Sequence, residues 1–328
     1  MRVHEAAARS DPLAALPGQA ALGAPCAGPR RGRARRIAGV VGVIGAGIRT
    51  GRRRAGAAGP RPRQALPATG RGRTAALDGV SFALRRGSTL GIVGESGSGK
   101  STAADVVLGF TEPDAGEVLL DGLAWSTAPE RERRARRNRI QSISQDPLGS
   151  FDPRADVRSI LSEALEAIGV PRSERRDRAV ELLERVDLGA EHLARNPLEL
   201  SGGQRQRVAI SRALATDPEV LVCDEAVSAL DVSIQAQVLD LLAELQRSTG
   251  ISLLFISHDL GVIRHVADEV LVMRRGRVVE AGRTQAVFEH PQHDYTRRLV
   301  DAIPKLRFSP PTPTHTTTPT PHESISPS

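Results

Sequence analysis

Aromatic residues are almost absent from this chain, with six Phe, one Trp and one Tyr in 328 residues. None precedes Phe82, so the first quarter of the chain has no ring on which a nucleotide base could stack. Such a stack is worth about 1–3 kcal/mol per base in single-strand binders. Cysteine is equally scarce: Cys26 and Cys223 stand far apart, the second within an apolar run. That excludes a disulfide framework and a cysteine metal cluster, and it fits a reducing compartment. Long hydrophobic runs are also missing. The longest uncharged apolar stretch, Ile37 to Ile48, contains four glycines and is too short to cross a bilayer, which takes roughly 20 residues. Lysine occurs only at Lys100 and Lys305, and arginine carries nearly all the positive charge. The position of Lys100 is therefore informative.

The net charge of +7 is unevenly spread. Residues 1–75 hold fifteen arginines against Glu5 and Asp11, while the remainder is net acidic. Residues 1–69 are rich in Ala, Gly, Pro and Arg without a sustained helical or strand period, so they read as a disordered basic head. Two other readings of the head are a basic arm touching nucleic acid or anionic lipid and a weak, internally placed export signal at Arg30–Ile48. Residues 308–328, dominated by Thr, Pro and Ser, read as a disordered tail. The length between them has room for one large domain or two small ones.

Within it, the chain is organised around Gly94-Glu95-Ser96-Gly97-Ser98-Gly99-Lys100-Ser101, a complete G-x-x-x-x-G-K-[ST] loop. The apolar run Leu90–Val93 before it reads as a buried strand, and 101–108 as a helix. Glycines let successive backbone N–H groups curl around an anion, and the helix N-terminus adds a favourable dipole. Polyphosphate is the natural guest. Lys100 would reach the β- and γ-phosphates and the Ser101 hydroxyl would ligate Mg²⁺; Thr102 follows among the ATP-binding residues.

Downstream, apolar residues recur at helical spacing from Ser159 to Leu188, broken by Gly169-Val170-Pro171, which predicts a helical insert. Ser201 is a good N-cap for a further helix opening at Leu200-Ser201-Gly202-Gly203-Gln204, a second place where backbone donors face an anion. Apolar runs at Val220–Cys223 and Ile251–Ile256 end in Asp224-Glu225 and Ser257-His258-Asp259. Arg275-Gly276 joins a hairpin. Apolar strands alternating with helices predict an α/β fold, its mostly parallel sheet flanked by helices, with ligands at the strand C-termini. The arginines of Arg131–Arg139 read as a solvated helical face, because no aromatic interleaves them.

Taken in order, these motifs resemble the ATP-binding cassettes of ABC transporters over roughly 75–306. Three strings look like the oligopeptide and dipeptide importer ATPases: Gln145-Asp146-Pro147 through Asp152-Pro153-Arg154, Ser201 through Arg207, and Ser228-Ala229-Leu230-Asp231 through Gln237. His290-Pro291-Gln292-His293-Asp294-Tyr295-Thr296 looks like that subfamily's C-terminal extension. Nickel-importer and phosphonate-system ATPases share much of this pattern. The resemblance implies a P-loop cassette at 70–285 with an antiparallel β part and a helical subdomain at about 146–215, followed by an extension at 286–307.

It also implies a pair of cassettes, alike or unlike, facing head to tail. ATP on Lys100 of one would meet Ser201, Gly202, Gly203 and Gln204 of the other, and Asp231 would link the two sites. Asp224, Ser101 and Gln145 would hold Mg²⁺, Glu225 would activate the attacking water and His258 would contact the γ-phosphate. Permease subunits would form the pore at the cytoplasmic face of the membrane, an external solute-binding protein would act indirectly, and no nucleic acid is expected. A soluble cassette ATPase acting on nucleic acid is the competing class, for which the basic head is the only support.

Two departures from the family stand out. No strand or adenine-stacking aromatic precedes Ala76, which predicts weaker or less base-selective nucleotide binding. Ala226 stands where a proline commonly follows the catalytic acid.

Overall fold

The structure is a computed structural model, and it describes residues 40–49 and 75–303. In chain order the strands are β1 (Val40–Arg49), β2 (Ala75–Arg85), β3 (Thr89–Val93), β4 (Ala115–Leu120), β5 (Leu123–Ala124), β6 (Ile140–Ile143), β7 (Val220–Asp224), β8 (Ser252–Ile256), β9 (Glu269–Arg274) and β10 (Arg277–Arg283). The helices are α1 (Lys100–Leu108), α2 (Glu130–Arg134), α3 (Val157–Ala167), α4 (Arg175–Glu184), α5 (Gly202–Leu214), α6 (Val232–Thr249), α7 (Leu260–Val266), α8 (Thr284–Glu289) and α9 (Asp294–Asp301).

Local chemistry sets the helix ends. Asp156 caps α3 by accepting from Ser159 N, and Asp259 caps α7 by accepting from Gly261 N and Val262 N. α1 and α6 stop at Gly109 and Gly250, both left-handed, a conformation that glycine adopts without a Cβ penalty.

The strands form two sheets. One is antiparallel, in the order β2-β1-β4-β5; the other runs β10-β9-β3-β8-β7-β6. In the second sheet β9, β3, β8, β7 and β6 are parallel to their neighbours, and β10 returns antiparallel at the edge. The register puts Ile92, Ile256 and Asp224 in one row and Gly91, Phe255, Cys223 and Ile143 in the row before it. Four adjacent strands thus end level.

Buried residues alternate between two cores. Val93, Ile143, Cys223 and Phe255 join helices α3 to α6 on one face, whereas Ile92, Val222, Ile256 and Met273 join α1, Trp125 and the antiparallel sheet on the other. Burial on both faces explains why these strands read as unbroken apolar runs. Arg139 ties the sheets together by pairing with Glu219 at 2.6 Å and with Asp121.

Val40–Arg49 corrects the reading of residues 1–69 as a head outside the fold, and with it the reading that no strand precedes Ala76. This segment pairs with both β2 and β4. Its Val and Ile residues favour strands, but three glycines mask the period. A glycine-weakened strand gains its stability from two neighbours distant in sequence, which propensity does not register. The readings of 308–328 as a tail and of Cys26 lie outside the described residues, as does the position near Thr74 where the aromatic is lacking.

Gly91 lets α7 sit against the centre of the sheet. A Cβ there would lie 2.6 Å from Ile263 Cγ2 and 3.0 Å from Ala267 Cβ. Gly91→Ala should therefore cost about 1–3 kcal/mol, as overpacking does. Urea denaturation followed by circular dichroism checks this, and an unchanged midpoint would refute it.

Candidate functional site

The phosphate loop joins β3 to α1, and its glycines are needed for their backbone. Gly94, Gly97 and Gly99 have φ of 153°, 76° and 103°. A Cβ on Gly94 would lie 2.2 Å from Met273 O, and one on Gly99 would lie 2.6 Å from Ala76 O. Lys100 is 6% exposed and donates from Nζ to Gly94 O at 2.8 Å and to Glu95 O at 3.0 Å. Burial pulls its pKa down, against the opposing pull of Glu225 and Asp224. Ser98 Oγ is buried with no partner among the described residues, while Ser96 and Gly97 are exposed and Thr102 lies in the first turn of α1.

Two strands away, β7 ends in Asp224, whose Oδ1 is buried without a hydrogen bond among the described residues. Burial above all raises its carboxyl pKa. Glu225 and Asp105 add to the rise, whereas a hydrogen bond from Ser101 and the charge of Lys100 oppose it. A buried carboxylate oxygen lacking a donor, beside a serine hydroxyl, suits a hard divalent cation such as Mg²⁺. Cys223 behind it is sealed in the core, and its thiol is pushed up to about 12, mainly by burial.

Glu225 sits just past β7 at φ 51°, a left-handed conformation that costs a non-glycine residue about 1–3 kcal/mol. Three bonds impose it: Glu225 N donates to Ile256 O at 2.9 Å, and Glu225 O accepts from Ser228 N at 3.1 Å and from Ser228 Oγ at 2.9 Å. These bonds hold the turn with buried Ala226 in it. The carboxylate swings toward the end of β8, where Glu225 Oε1 lies 3.1 Å from His258 Nδ1. A carboxylate only accepts, so this contact assigns a proton to Nδ1. Gln145 is exposed just beyond β6, and with Ser101, Ser144, Asp224 and Glu225 it lines an open cleft of about 420 Å³. Phe151, by contrast, is buried under the Arg212 guanidinium, 4.9 Å from its ring centre.

The structure therefore brings together Lys100, Ser101, Gln145, Asp224, Glu225 and His258. It does not bring the second anion-facing turn to them. Ser201 caps α5 through a reciprocal pair, in which Gln204 N donates to Ser201 Oγ at 3.2 Å and Ser201 N to Gln204 Oε1 at 3.0 Å. Ser201 and Gly202 are exposed. Gly203 is packed so closely that a Cβ would lie 2.6 Å from Ile234 Cγ2. No hydrogen bond or ion pair joins 201–204 to 94–102 among the described residues. Asp231 is exposed at the start of α6 and its side chain makes no capping bond. A larger cleft of about 610 Å³, lined by Arg158, Arg172, Arg175 and Arg176 beside α3 and α4, contains none of these residues.

Sequence reasoning missed two contacts. Gln204 Nε2 lies 3.3 Å from His192 Nε2, and Glu95 N donates to Tyr295 Oη at 3.0 Å. The only tyrosine of an aromatic-poor chain was the available signal for the second.

A family model described as ABC transporter matches residues 77–228. A putative peptide import ATP-binding protein of Brucella ovis is 48% identical over 229 residues, covering 70% of this chain and 72% of that protein. The chain belongs to the ABC transporter ATP-binding family. The oligopeptide transport ATP-binding protein OppD of Mycobacterium tuberculosis is 49% identical over 71% of this cassette chain, but the match spans only 38% of OppD. The dipeptide transport ATP-binding protein DppF of Haemophilus influenzae is 48% identical over 70% of the cassette chain and 71% of its own length.

Among solved structures, the ATP-binding cassette MJ0796, a dimer in a post-hydrolysis state bound to ADP and Pi, superposes with a TM-score of 0.61 at 25% identity. The match covers 74% of this chain and 98% of that one. The cassette cbiO1 from Clostridium perfringens, part of the transporter complex cbiONQ, superposes at 0.60 with 31% identity, over 66% and 86% of the two chains. The fold is that of an ABC cassette.

In the ligand-free cassette the ionised Asp224 works against folding. Its pKa is raised in the folded state, so the stability tied to this group is lost as pH climbs from the usual carboxylate value through the raised one. Asp224→Asn removes that charge and is expected to raise the melting midpoint at neutral pH without nucleotide or metal. Scanning fluorimetry reads this, and a lowered midpoint would contradict it.

Proposed function

We propose that this chain is the ATP-hydrolysing subunit of an ABC importer for oligopeptides or dipeptides, working as one of a head-to-tail pair of cassettes docked on separate permease subunits. The observation that carries the reading is the convergence of Lys100, Ser101, Gln145, Asp224, Glu225 and His258 at the ends of four adjacent parallel strands. The substrate class rests on the relatives named above. The membrane location rests on the same relatives; among the described residues no helix is long and apolar enough to cross a bilayer.

Loop amides of Gly97 to Ser101 cradle the phosphates, and Lys100 leaves the Gly94 and Glu95 carbonyls for the β- and γ-phosphate oxygens. Ser101 and Asp224, with Gln145, would hold Mg²⁺, which when bound neutralises charge between those phosphates. Glu225 takes the proton of the attacking water. His258, its Nδ1–H anchored on Glu225, donates to a γ-phosphate oxygen from Nε2 once the ring carries a second proton there. The exposed Ser201 and Gly202 have no triphosphate to face within their own chain, so the α5 N-terminus of a second cassette supplies the opposite wall and Asp231 lies where the two would meet. Closure of the pair pulls on the permease, and an external solute-binding protein delivers cargo from the other side.

Glu225→Gln should lower ATP hydrolysis by roughly 10²–10⁴-fold, the usual worth of a positioned base. The same variant should become dimeric in Mg²⁺ and ATP. Phosphate release and light scattering on the full chain measure both. Undiminished turnover, or a variant that stays monomeric with ATP bound, would overturn the reading.

A further inference from the structure

We propose that Tyr295 is a positioning residue for the phosphate loop, which makes the C-terminal extension a working part of the nucleotide site. The inference rests on the nucleotide-binding reading of the loop.

Tyr295 stands in the first turn of α9, beyond the last strand, and is 2% exposed. Its hydroxyl accepts from Glu95 N at 3.0 Å. Glu95 O meanwhile accepts from Lys100 Nζ at 3.0 Å and from Ser98 N at 3.1 Å. The first peptide units of the loop are thus held from opposite sides, by a tyrosine 200 residues away and by the loop's own lysine. When Lys100 moves to a phosphate, it gives up these carbonyls. Tyr295 then remains as the hold from outside the loop on Glu95, and it keeps that N–H turned away from the anion while the following amides face it.

The tyrosine is itself fixed. His293 Nδ1 accepts from Tyr295 N at 3.0 Å, and Glu280 on β10 accepts from Gln292 N at 2.8 Å and His293 N at 3.0 Å. The Arg274 guanidinium lies 4.9 Å from the Tyr295 ring centre, and two residues later Gly276 N donates to Ser98 O at 2.9 Å. Both ends of the loop's glycine-serine arc are therefore held by groups around one hairpin and the helix packed on it. Packing alone would be served equally by phenylalanine. A buried hydroxyl has to find a partner, and here the partner is the loop backbone.

Tyr295→Phe in the full chain isolates the hydroxyl, since the ring and its Arg274 contact stay. Removing one hydrogen bond of ordinary strength predicts about a five-fold rise in KM and in the Kd for Mg-ATP, with kcat little changed. Hydrogen exchange should quicken in the peptide spanning 94–98 and nowhere else, and the ligand-free melting midpoint should fall by no more than the loss of one hydrogen bond accounts for. Unchanged KM and unchanged exchange would overturn the proposal. A larger fall in the midpoint with exchange rising throughout the chain would also overturn it, because the role would then be packing. Lys100→Ala serves as the reference: if Mg-ATP binding survives that change, the nucleotide reading itself fails, whatever Tyr295→Phe shows.

Discussion

Parallel strands that end in step are the constraint on which the site depends. The register aligns Ile92, Ile256 and Asp224 across β3, β8 and β7, with Ile143 of β6 opposite Cys223 in the row before. Each chain leaves the sheet within two residues of that line, so Gly94, His258, Glu225 and Gln145 emerge at one level from neighbouring strands. Slipping one strand by a residue would both invert its burial pattern and carry its polar end residue out of reach. The two apolar cores on either face hold the register against such a slip, so the packing that stabilises the fold also sets the geometry of the chemistry.

The same arrangement leaves charges in poor company. Burial pulls Lys100 down and pushes Asp224 up, so both are driven toward their neutral forms while the site lacks a ligand. Asp224 Oδ1 and Ser98 Oγ find no partner among the described residues, and Glu225 holds a left-handed backbone. A loop that presents amides and ammonium beside an unpaired carboxylate is complementary to an anion carrying its own cation. Binding such a ligand would pair the buried charges and the unpartnered oxygens together, which is how unfavourable local terms become affinity.

Features written over a few residues were legible in the sequence. The phosphate loop, the Ser201 cap with Gln204, the acidic pair after β7 and His258 after β8 all stand where spacing and apolar runs placed them. What escaped is long-range. β1 reads as a glycine-rich fragment until β2 and β4 are laid beside it. Tyr295 meets Glu95 across the whole cassette, and His192 reaches Gln204 only because the turn at 190–194 folds back on α5. Periodicity reports what a residue buries, and it is silent about which distant backbone group a buried hydroxyl or imidazole will meet.

The turn at Gly202 and Gly203 makes no hydrogen bond to the phosphate loop among the described residues. Gly203 is pressed against Ile234 of α6, where no side chain fits, while Ser201 and Gly202 face solvent with the capping bonds already made. The cap leaves the remaining first-turn amides of α5 without partners inside the helix. Asp231 and Val232 are exposed at the start of that same α6, so the helix that packs against the signature turn also carries the residues beside it at the surface. Back along the chain from Asp231, the short 226–230 segment leads to Glu225, held by bonds from Ser228 N to Glu225 O and from Leu230 N to Val227 O. The strained Glu225 backbone and the exposed turn are thereby joined by one short, hydrogen-bonded stretch of chain and by the close contact of Gly203 with Ile234.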